Sequence, residues 1–418
     1  MPNYIIEGGK KLEGGVTISG SKNASLPIMA GAILNSGVTK LYNIPNIKDT
    51  NITEQILRFL GCKIKKSNNK IEINAKNIKK NEIPENLMHQ MRSTVILAGA
   101  LIGKFKEAKF SYPGGCDIGA RPIDLHLKSF EKLGINIVED SGFIICKCDK
   151  ITGANIDLDF PSVGATENII LASVYAEGKT KISNAAMEPE IIDLANFLNK
   201  MGAKIEGAGT NVITINGVTK LKDISYTVMP DRIEAGTMLC MVAATGGKVS
   251  LNNVVPTHIS PILNKLKECG CKIEEGKNSV YMEAPRRLKA TNIKTMPYPG
   301  FPTDMQSIFA SMLTTAKGTS IIIENIFENR YRYIPELKRM GVKANIEGKT
   351  AVIAGVRKLS GTTVKCTDLR GGAALVVAGL IAKGKTKVTD IGYILRGYEK
   401  LDEKLRRLGA SIYLEEGE

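Results

Sequence analysis

Six short motifs repeat along the chain, and each combines the end of an amphipathic helix, a glycine and a short strand. They occupy residues 57–65, 130–138, 198–206, 266–274, 337–345 and 405–413. Their glycines, spaced 68 to 73 residues apart, are Gly61, Gly134, Gly202, Gly270, Gly341 and Gly409. Glycine directly after a helix adopts the left-handed conformation that ends it. The chain is therefore predicted to contain six copies of one unit.

Each unit begins with a helix that is apolar nearly all round and rich in small residues. These segments are 27–34, 95–102, 168–176, 237–244, 307–313 and 372–382. A helix without a polar face is typical of a buried position, with strands and amphipathic helices packed around it. The pattern predicts an α/β fold of six βαβ-type units, three in each of two domains, with a break near residues 228–231.

Length and charge narrow the possible functions. A chain of 418 residues is long enough for two domains, and its formal net charge of +15 favours anionic partners. Nucleic acid and small phosphorylated substrates both satisfy that charge. Stacking platforms for nucleic acid are poorly supported, because there is no Trp and few other aromatic residues. A nucleic-acid-binding repeat protein stays open as an alternative of a different class.

The cysteines and histidines indicate neither a zinc site nor a disulfide framework. The eight cysteines form no C-x-x-C pair, and there are only three histidines. Most of the cysteines lie in apolar runs and are expected to act as small buried hydrophobes. The N-terminus lacks the apolar core of a signal peptide, and no apolar run is long enough for a membrane span. We expect a reduced, cytoplasmic protein with no metal, cofactor or membrane partner.

Polar residues fall at matching offsets within the units. The residues shortly before the buried helices are Lys22, Arg92, Ser162, Asp231, Asp304 and Arg370. A second set, between strand and outer helix, is Arg121, Arg330 and Arg396. Helix N-termini attract anions through their unpaired N–H groups and dipole. These residues are candidates for one anion-binding site, although individual members can also be ordinary caps or solvated charges.

A loop at residues 112–122 carries a further candidate group. It contains three glycines and two prolines, which exclude a helix or a central strand. Cys116 and Arg121 lie on it. A thiol near cations becomes a reactive thiolate, and a guanidinium binds carboxylate or phosphate through two hydrogen bonds. The loop alone also fits a surface turn with an incidental cysteine.

Motifs along the whole length of the chain resemble the UDP-N-acetylglucosamine 1-carboxyvinyltransferases, the MurA family of enolpyruvyl transferases. The matching segments are 21–24, 91–92, 113–116, 119–122, 162–166, 301–306, 368–370 and 396–398. The resemblance implies a two-domain inverse α/β barrel with the active site in the interdomain cleft. The domains are expected at 22–229, which carries the Cys116 loop, and at 1–21 with 230–418. It also implies that the first strand pairs into the C-terminal domain.

The activity implied by the resemblance is transfer of the enolpyruvyl group of phosphoenolpyruvate to the 3′-hydroxyl of UDP-N-acetylglucosamine, with release of phosphate. That reaction is the first committed step of peptidoglycan precursor synthesis, and so of cell-wall growth, cell shape and division. The nearest alternative is the sister enzyme 3-phosphoshikimate 1-carboxyvinyltransferase. The Cys116 loop and the segment 162–164 argue against it.

The same resemblance implies roles for individual residues. Cys116 is the implied proton donor, which forms a pyruvate adduct and is alkylated by the covalent inhibitor fosfomycin. Asp304 is implied to contact the attacking hydroxyl, as a base or as a hydrogen-bond acceptor. The remaining phosphoenolpyruvate contacts are Lys22, Asn23, Arg121, Arg330, Arg370 and Arg396, with Asp368 assisting proton transfer.

The nucleotide sugar is implied to bind a further set of residues: Arg92, Arg121, Pro122, Ile123, Asp124, Leu125, Ser162, Val163, Gly164 and Ile326. Two positions depart from the family pattern. Phe160 stands where some relatives have a lysine near the uridine, and Leu395 stands where an acidic residue usually precedes Arg396. Both departures affect local affinity and orientation, and neither removes a core catalytic group.

Overall fold

The computed structural model describes residues 2–114, 118–119 and 123–416. These residues form two compact units. The N-terminal unit contains residues 20–114 and 123–229, and the C-terminal unit contains 2–19, 118–119 and 230–416. Gly20 and Ser21 thus group with the N-terminal unit, whereas the expected domain began at residue 22. The physical reason is that Ser21 caps the first helix, where its Oγ accepts a hydrogen bond from Ala24 N at 3.2 Å.

The strands are short, mostly of five residues. They are β1 (Asn3–Glu7), β2 (Glu13–Thr17), β3 (Val38–Tyr42), β4 (Lys63–Ser67), β5 (Lys70–Asn74), β6 (Glu107–Ser111), β7 (Asn136–Asp140), β8 (Phe143–Lys147), β9 (Asn155–Asp157), β10 (Lys179–Ser183), β11 (Lys204–Glu206), β12 (Val212–Asn216), β13 (Ile224–Thr227), β14 (Lys248–Asn252), β15 (Lys272–Glu275), β16 (Ser279–Glu283), β17 (Ile293–Lys294), β18 (Thr319–Ile323), β19 (Lys343–Glu347), β20 (Thr350–Ala354), β21 (Leu359–Ser360), β22 (Thr363–Lys365), β23 (Ala382–Lys383), β24 (Lys385–Thr389) and β25 (Ser411–Glu415).

Buried helices alternate with amphipathic ones along the chain. The α-helices are α1 (Lys22–Gly31), α2 (Lys48–Leu60), α3 (Glu85–Met88), α4 (Ile96–Phe105), α5 (Asp124–Lys132), α6 (Val163–Ser173), α7 (Pro189–Met201), α8 (Arg232–Thr245), α9 (Ser260–Glu268), α10 (Gln306–Leu313), α11 (Ile334–Arg339), α12 (Leu369–Ile381) and α13 (Leu401–Arg407). Short 3₁₀ helices lie at Arg92–Val95, Pro256–Ile259, Thr303–Met305 and Ile394–Arg396.

One sheet pattern recurs six times. The strand after each buried helix lies between two antiparallel strands on one side and a parallel strand on the other, as β10 does between the pair β12–β11 and β9. In the second repeat, the parallel position is held by a single bridge between Glu82 and Lys109. This arrangement confirms the predicted six-unit fold.

Two strands, β13 and β1, pair with strands that are distant in the sequence. β13, at the end of the third repeat, pairs in parallel with β3 of the first. β1 lies between β24 and β25, with Tyr4 opposite Val388 and Leu414. The first strand therefore completes the last repeat, as the family resemblance implied.

The repeat-leading helices are buried, as the sequence predicts. The N-terminal unit surrounds α1, α4 and α6, and the C-terminal unit surrounds α8, α10 and α12. The first helix begins at Lys22, five residues before the predicted start at 27, because its first turn is polar and lies outside the apolar pattern. Where α4 and α6 meet, Gly99 N donates to Asn168 Oδ1 at 2.8 Å. A Cβ at Gly99 would lie only 2.5 Å from Asn168 O.

The six anchor glycines all adopt positive φ angles, between 83° for Gly134 and 111° for Gly202. This confirms their predicted role as helix-ending residues. In the described ranges, no helix combines the length and the apolar character that crossing a membrane requires.

Candidate active site

All six residues of the first polar set lie at or beside helix starts, which confirms the predicted placement. Lys22 begins α1, Arg92 begins the 3₁₀ turn before α4, Ser162 caps α6, Asp231 caps α8, Asp304 lies in the 3₁₀ turn before α10, and Arg370 is the second residue of α12. Lys22, Arg92 and Ser162 belong to the N-terminal unit, and Asp231, Asp304 and Arg370 belong to the C-terminal unit.

In the C-terminal unit, Asp304 binds two buried guanidinium groups. Its Oδ1 lies 2.8 Å from Nη2 of Arg330, and its Oδ2 lies 2.9 Å from Nη2 of Arg370. The two arginine side chains are 3% and 4% exposed, whereas that of Asp304 is 28% exposed. The structure therefore brings together three sequence-predicted residues, Asp304 and Arg330 from the fifth repeat and Arg370 from the sixth, with the carboxylate on the accessible side.

Each arginine retains a buried donor that has no hydrogen-bond partner among the described residues: Nε of Arg330 and Nη1 of Arg370. An unsatisfied buried donor costs free energy. An anionic oxygen would satisfy such a donor, since guanidinium groups bind carboxylate and phosphate well. The pair is therefore suited to an anionic ligand.

Tyr398 supports the second arginine. The guanidinium of Arg370 lies 5.3 Å from the centroid of the Tyr398 ring, and Tyr398 Oη lies 3.0 Å from Thr237 Oγ1. Burial lowers the pKa of Arg370, but Tyr398, Asp304 and Asp231 raise it, and the net direction is upward. Arg370 thus keeps its positive charge in a buried position.

Two other candidate carboxylates act as helix caps. Asp368 Oδ1 accepts from Arg370 N at 3.0 Å and from Gly371 N at 2.9 Å. Asp231 Oδ1 accepts from Ile233 N at 2.8 Å and from Glu234 N at 2.9 Å. Asp368 therefore fixes the backbone at Arg370, a capping role that the sequence reading did not assign to it.

The remaining candidates of this unit lie in connecting segments. Arg396 ends the 3₁₀ turn Ile394–Arg396, and both it and Leu395 are half-buried. Ile326 is half-buried, and its N–H donates to Glu324 Oε1 at 2.8 Å. Ile326 thus lies four residues before Arg330 on the segment that carries that guanidinium.

In the N-terminal unit, Lys22 lies beside an acidic cluster. Its Nζ is 3.7 Å from Oδ2 of Asp49, which is 2% exposed. Burial raises the pKa of Glu167 well above its ordinary value; Glu190 and Glu188 raise it further, and Lys22 lowers it. The lysine is therefore held among carboxyl groups from α2, α6 and the start of α7.

The predicted sugar-nucleotide residues of this unit vary in exposure. Asn23, Arg92, Leu125, Ser162, Val163 and Gly164 are half-buried, Ile123 is buried, and Asp124 is exposed. Ser162 Oγ accepts from Ala165 N at 3.3 Å, so its side chain caps α6. The helix start at 163–164 adjoins α5, where His126 Nδ1 lies 2.7 Å from Nδ2 of Asn168.

Cys116, Arg121 and Pro122 lie outside the described residues. Six of the seven described cysteines are buried. Burial raises the pKa of Cys62 to about 11 and the pKa values of Cys146 and Cys269 to about 12. These thiols fit the predicted hydrophobic role. Within the described ranges, no three His, Cys, Asp or Glu side chains are grouped as a metal ion would require.

Sequence reasoning missed several residues of these clusters. Asp49 and Glu167 lie inside helices, where nothing in the repeat pattern distinguishes them from surface carboxylates. Glu324 directly follows β18 and is 2% exposed. A carboxylate immediately after an apolar strand is the only signal that could have marked it.

A family model described as EPSP synthase (3-phosphoshikimate 1-carboxyvinyltransferase) matches residues 6–405. The UDP-N-acetylglucosamine 1-carboxyvinyltransferase 1 of Caldanaerobacter subterraneus subsp. tengcongensis is 52% identical over 410 residues, which cover 98% of this chain and 99% of that protein. The similarity therefore extends over both units.

Solved structures show the same fold at low sequence identity. The enolpyruvyl transferase NikO from Streptomyces tendae superposes with a TM-score of 0.89 at 23% identity, covering 100% of this chain and 99% of that chain. An EPSP synthase from Acinetobacter baumannii gives a TM-score of 0.75 at 21% identity, covering 99% and 100%. Both are similar to this chain in architecture.

Proposed function

Because the chain belongs to the family of the UDP-N-acetylglucosamine 1-carboxyvinyltransferases, within the wider EPSP synthase family, we propose that it transfers the enolpyruvyl group of phosphoenolpyruvate to the 3′-hydroxyl of UDP-N-acetylglucosamine. The observation that carries the proposal is the Asp304 carboxylate bound by two buried guanidinium groups, each with a donor left for an anion. Shikimate 3-phosphate is the less favoured acceptor, since the relative at 52% identity is named for UDP-N-acetylglucosamine, whereas 3-phosphoshikimate appears in the description of the wider family model.

The proposed reaction is an addition followed by an elimination. A proton adds to C3 of phosphoenolpyruvate, and the sugar hydroxyl adds to C2 and loses its own proton. The tetrahedral intermediate then loses a proton from C3 and phosphate from C2, which restores the double bond. The site must supply an acid, an acceptor for the hydroxyl proton, and cations for phosphate and carboxylate.

Asp304 is proposed to accept the hydrogen bond, and then the proton, of the attacking hydroxyl. Its position on two cations favours the ionised carboxylate. Arg330 and Arg370 provide fixed positive charge near the reacting atoms. Their burial supports this role, because electrostatic interactions strengthen where water is excluded.

Lys22, Asn23, Arg121 and Arg396 are proposed to bind phosphoenolpyruvate, and Cys116 is proposed to protonate C3. Nearby cations lower the pKa of a thiol towards neutrality. Such a pKa suits a group that gives a proton to C3 and later takes one back. The nucleotide sugar is assigned to Arg92, to 121–125, to 162–164 and to Ile326. The position of Lys22 at the start of α1 supports its assignment to phosphoenolpyruvate, since helix N-termini favour anions.

The proposal extends to the cellular role. The reaction would be the first committed step of peptidoglycan precursor synthesis, in the cytoplasm, and fosfomycin would inhibit it by alkylating Cys116. The names of the relatives support the reaction class, and the location and the inhibitor remain part of the proposal.

Phosphate release from phosphoenolpyruvate tests the proposal. The acceptor is UDP-N-acetylglucosamine or shikimate 3-phosphate, each with and without prior fosfomycin, and Asp304→Asn serves as the matched inactive variant. We expect release only with the nucleotide sugar, abolished by fosfomycin. Release with shikimate 3-phosphate alone would contradict the proposed acceptor and would leave the fold unaffected. No release with either acceptor would overturn the proposed activity.

A further inference from the structure

Glu324 is a buried carboxylate that receives four hydrogen bonds. Its Oε1 accepts from Thr295 Oγ1 at 2.8 Å, from Ile326 N at 2.8 Å and from Phe327 N at 3.2 Å. Its Oε2 accepts from Thr303 Oγ1 at 3.0 Å. The residue is 2% exposed and lies directly after β18. Three separate segments of the C-terminal unit therefore converge on one side chain.

All four donors are neutral hydroxyl or amide groups. Burying a carboxylate is costly unless its oxygens are well hydrogen-bonded, and hydrogen bonds to an ionised acceptor are stronger than neutral ones. Thr295 adds a second layer, because its Oγ1 accepts from Asn325 N at 2.9 Å and its carbonyl accepts from Asn325 Nδ2 at 3.0 Å. The segment 324–327 is thus tied to the strand end at 295.

Two of the donors lead directly to Arg330. Thr303 precedes Asp304, and the Thr303 carbonyl accepts from Arg330 Nη2 at 3.2 Å. Phe327 also lies against this group, since the centroid of its ring is 5.6 Å from the Arg330 guanidinium carbon. The same Nη2 binds Asp304. The two supports of the Arg330 guanidinium are therefore both fixed by Glu324.

We propose that Glu324 is a positioning residue, which holds the Thr303–Asp304 turn and the 326–327 segment so that Arg330 and Asp304 keep their geometry for the reaction. The inference rests on the proposed function, because the geometry matters only if Asp304 and Arg330 act on substrate. Small displacements of catalytic groups cost large factors in rate.

Three variants test this inference. Glu324→Gln keeps the shape but replaces one acceptor oxygen by a donor, which leaves at least one of the four donors unsatisfied. Thr303→Val removes only the hydroxyl that reaches Glu324, and Thr303→Ser restores it. The matched control is Glu336→Gln in the same unit, which removes a carboxylate that accepts from Lys365 N at 2.9 Å.

The measured quantities are kcat and KM for phosphoenolpyruvate, with thermal unfolding as a check that each variant is folded. We expect at least a tenfold fall in kcat/KM for Glu324→Gln and for Thr303→Val. We expect Thr303→Ser and Glu336→Gln to stay within threefold of the wild-type protein. A purely structural role would lower the unfolding temperature and leave the kinetics of the folded protein unchanged.

The outcomes separate this inference from the proposed function. An active wild-type protein with normal kinetics for Thr303→Val would overturn the positioning role alone, even if Glu324→Gln failed to fold. A loss in Thr303→Val that Thr303→Ser does not rescue would also overturn it. A wild-type protein that releases no phosphate would overturn the proposed function and this inference with it.

Discussion

Asp304 and Arg370 lie 66 residues apart in the sequence, yet Oδ2 of the first is 2.9 Å from Nη2 of the second. Each stands at the start of a buried helix from a different repeat. The repeat architecture therefore builds this ion pair by placing equivalent positions of two units side by side. Such a pair within the candidate site can bind a ligand only if the arginine has donors to spare, as the buried Nη1 of Arg370 indicates.

Replacing Arg370 with lysine tests the need for a planar group. A lysine retains the charge but cannot stack on Tyr398 while donating to both Asp304 and an anion. We expect Arg370→Lys to lower kcat/KM for phosphoenolpyruvate at least tenfold in steady-state assays. Arg339→Lys is the control, because Arg339 is 53% exposed and pairs with Glu336 on the surface. An equal loss in both variants would contradict the prediction.

Asp368 variants separate capping from proton transfer. Asparagine caps helices about as well as aspartate, whereas loss of a cap to alanine costs about 1 kcal/mol. We expect Asp368→Ala to be destabilised by about that amount, and Asp368→Asn to retain both the stability and most of the turnover. Urea unfolding and kcat are the measurements. A tenfold loss of kcat in the stable asparagine variant would favour the proton-transfer role.

Asp193 is expected to make stability pH-dependent. Its Oδ1 accepts from Tyr226 Oη at 2.7 Å and its Oδ2 from Met229 N at 3.1 Å, in a buried position. Burial raises the pKa of this carboxyl group, the two hydrogen bonds lower it, and Glu190 raises it. The net effect is a pKa raised to about 6. Because the folded pKa exceeds the unfolded one, this residue lowers stability as pH rises from about 4 to about 6, by roughly 3 kcal/mol in total.

The test compares unfolding free energies of the wild-type protein and Asp193→Asn between pH 4 and pH 7. The variant is expected to gain stability relative to wild type as pH rises, since an amide has no proton to lose. Tyr226→Phe should extend the wild-type loss to higher pH, because it removes a hydrogen bond that lowers the pKa. A constant difference between Asp193→Asn and wild type across the range would refute the assignment.

Cys116 variants test the implied proton donor. A serine hydroxyl is a much weaker acid than a thiol, so Cys116→Ser is expected to lose nearly all turnover. Cys116→Asp should retain activity and resist fosfomycin, because a carboxyl group can donate the proton but is not alkylated in the same way. The measurement is phosphate release before and after incubation with fosfomycin. Full activity in the serine variant would reject the proton-donor role.

The repeat pattern in the sequence was sufficient to predict the six-unit fold. The anchor glycines mark positions with positive φ angles, which glycine adopts more readily than other residues. The apolar helices have no polar face and are therefore buried. Both signals are local and therefore visible in the sequence. The polar residues before those helices were predictable for the same reason, since Lys22, Asp304 and Arg370 occupy one position of a repeated unit.

Tertiary structure decided which of these residues meet. Asp368, which the family resemblance implies in proton transfer, also caps α12, because it accepts hydrogen bonds from backbone N–H groups that no sequence pattern displays. Glu324, which no sequence motif marked, is buried and accepts four hydrogen bonds. Hydrogen bonds between distant segments depend on the folded path of the chain, and the periodicity of a sequence carries no information about them.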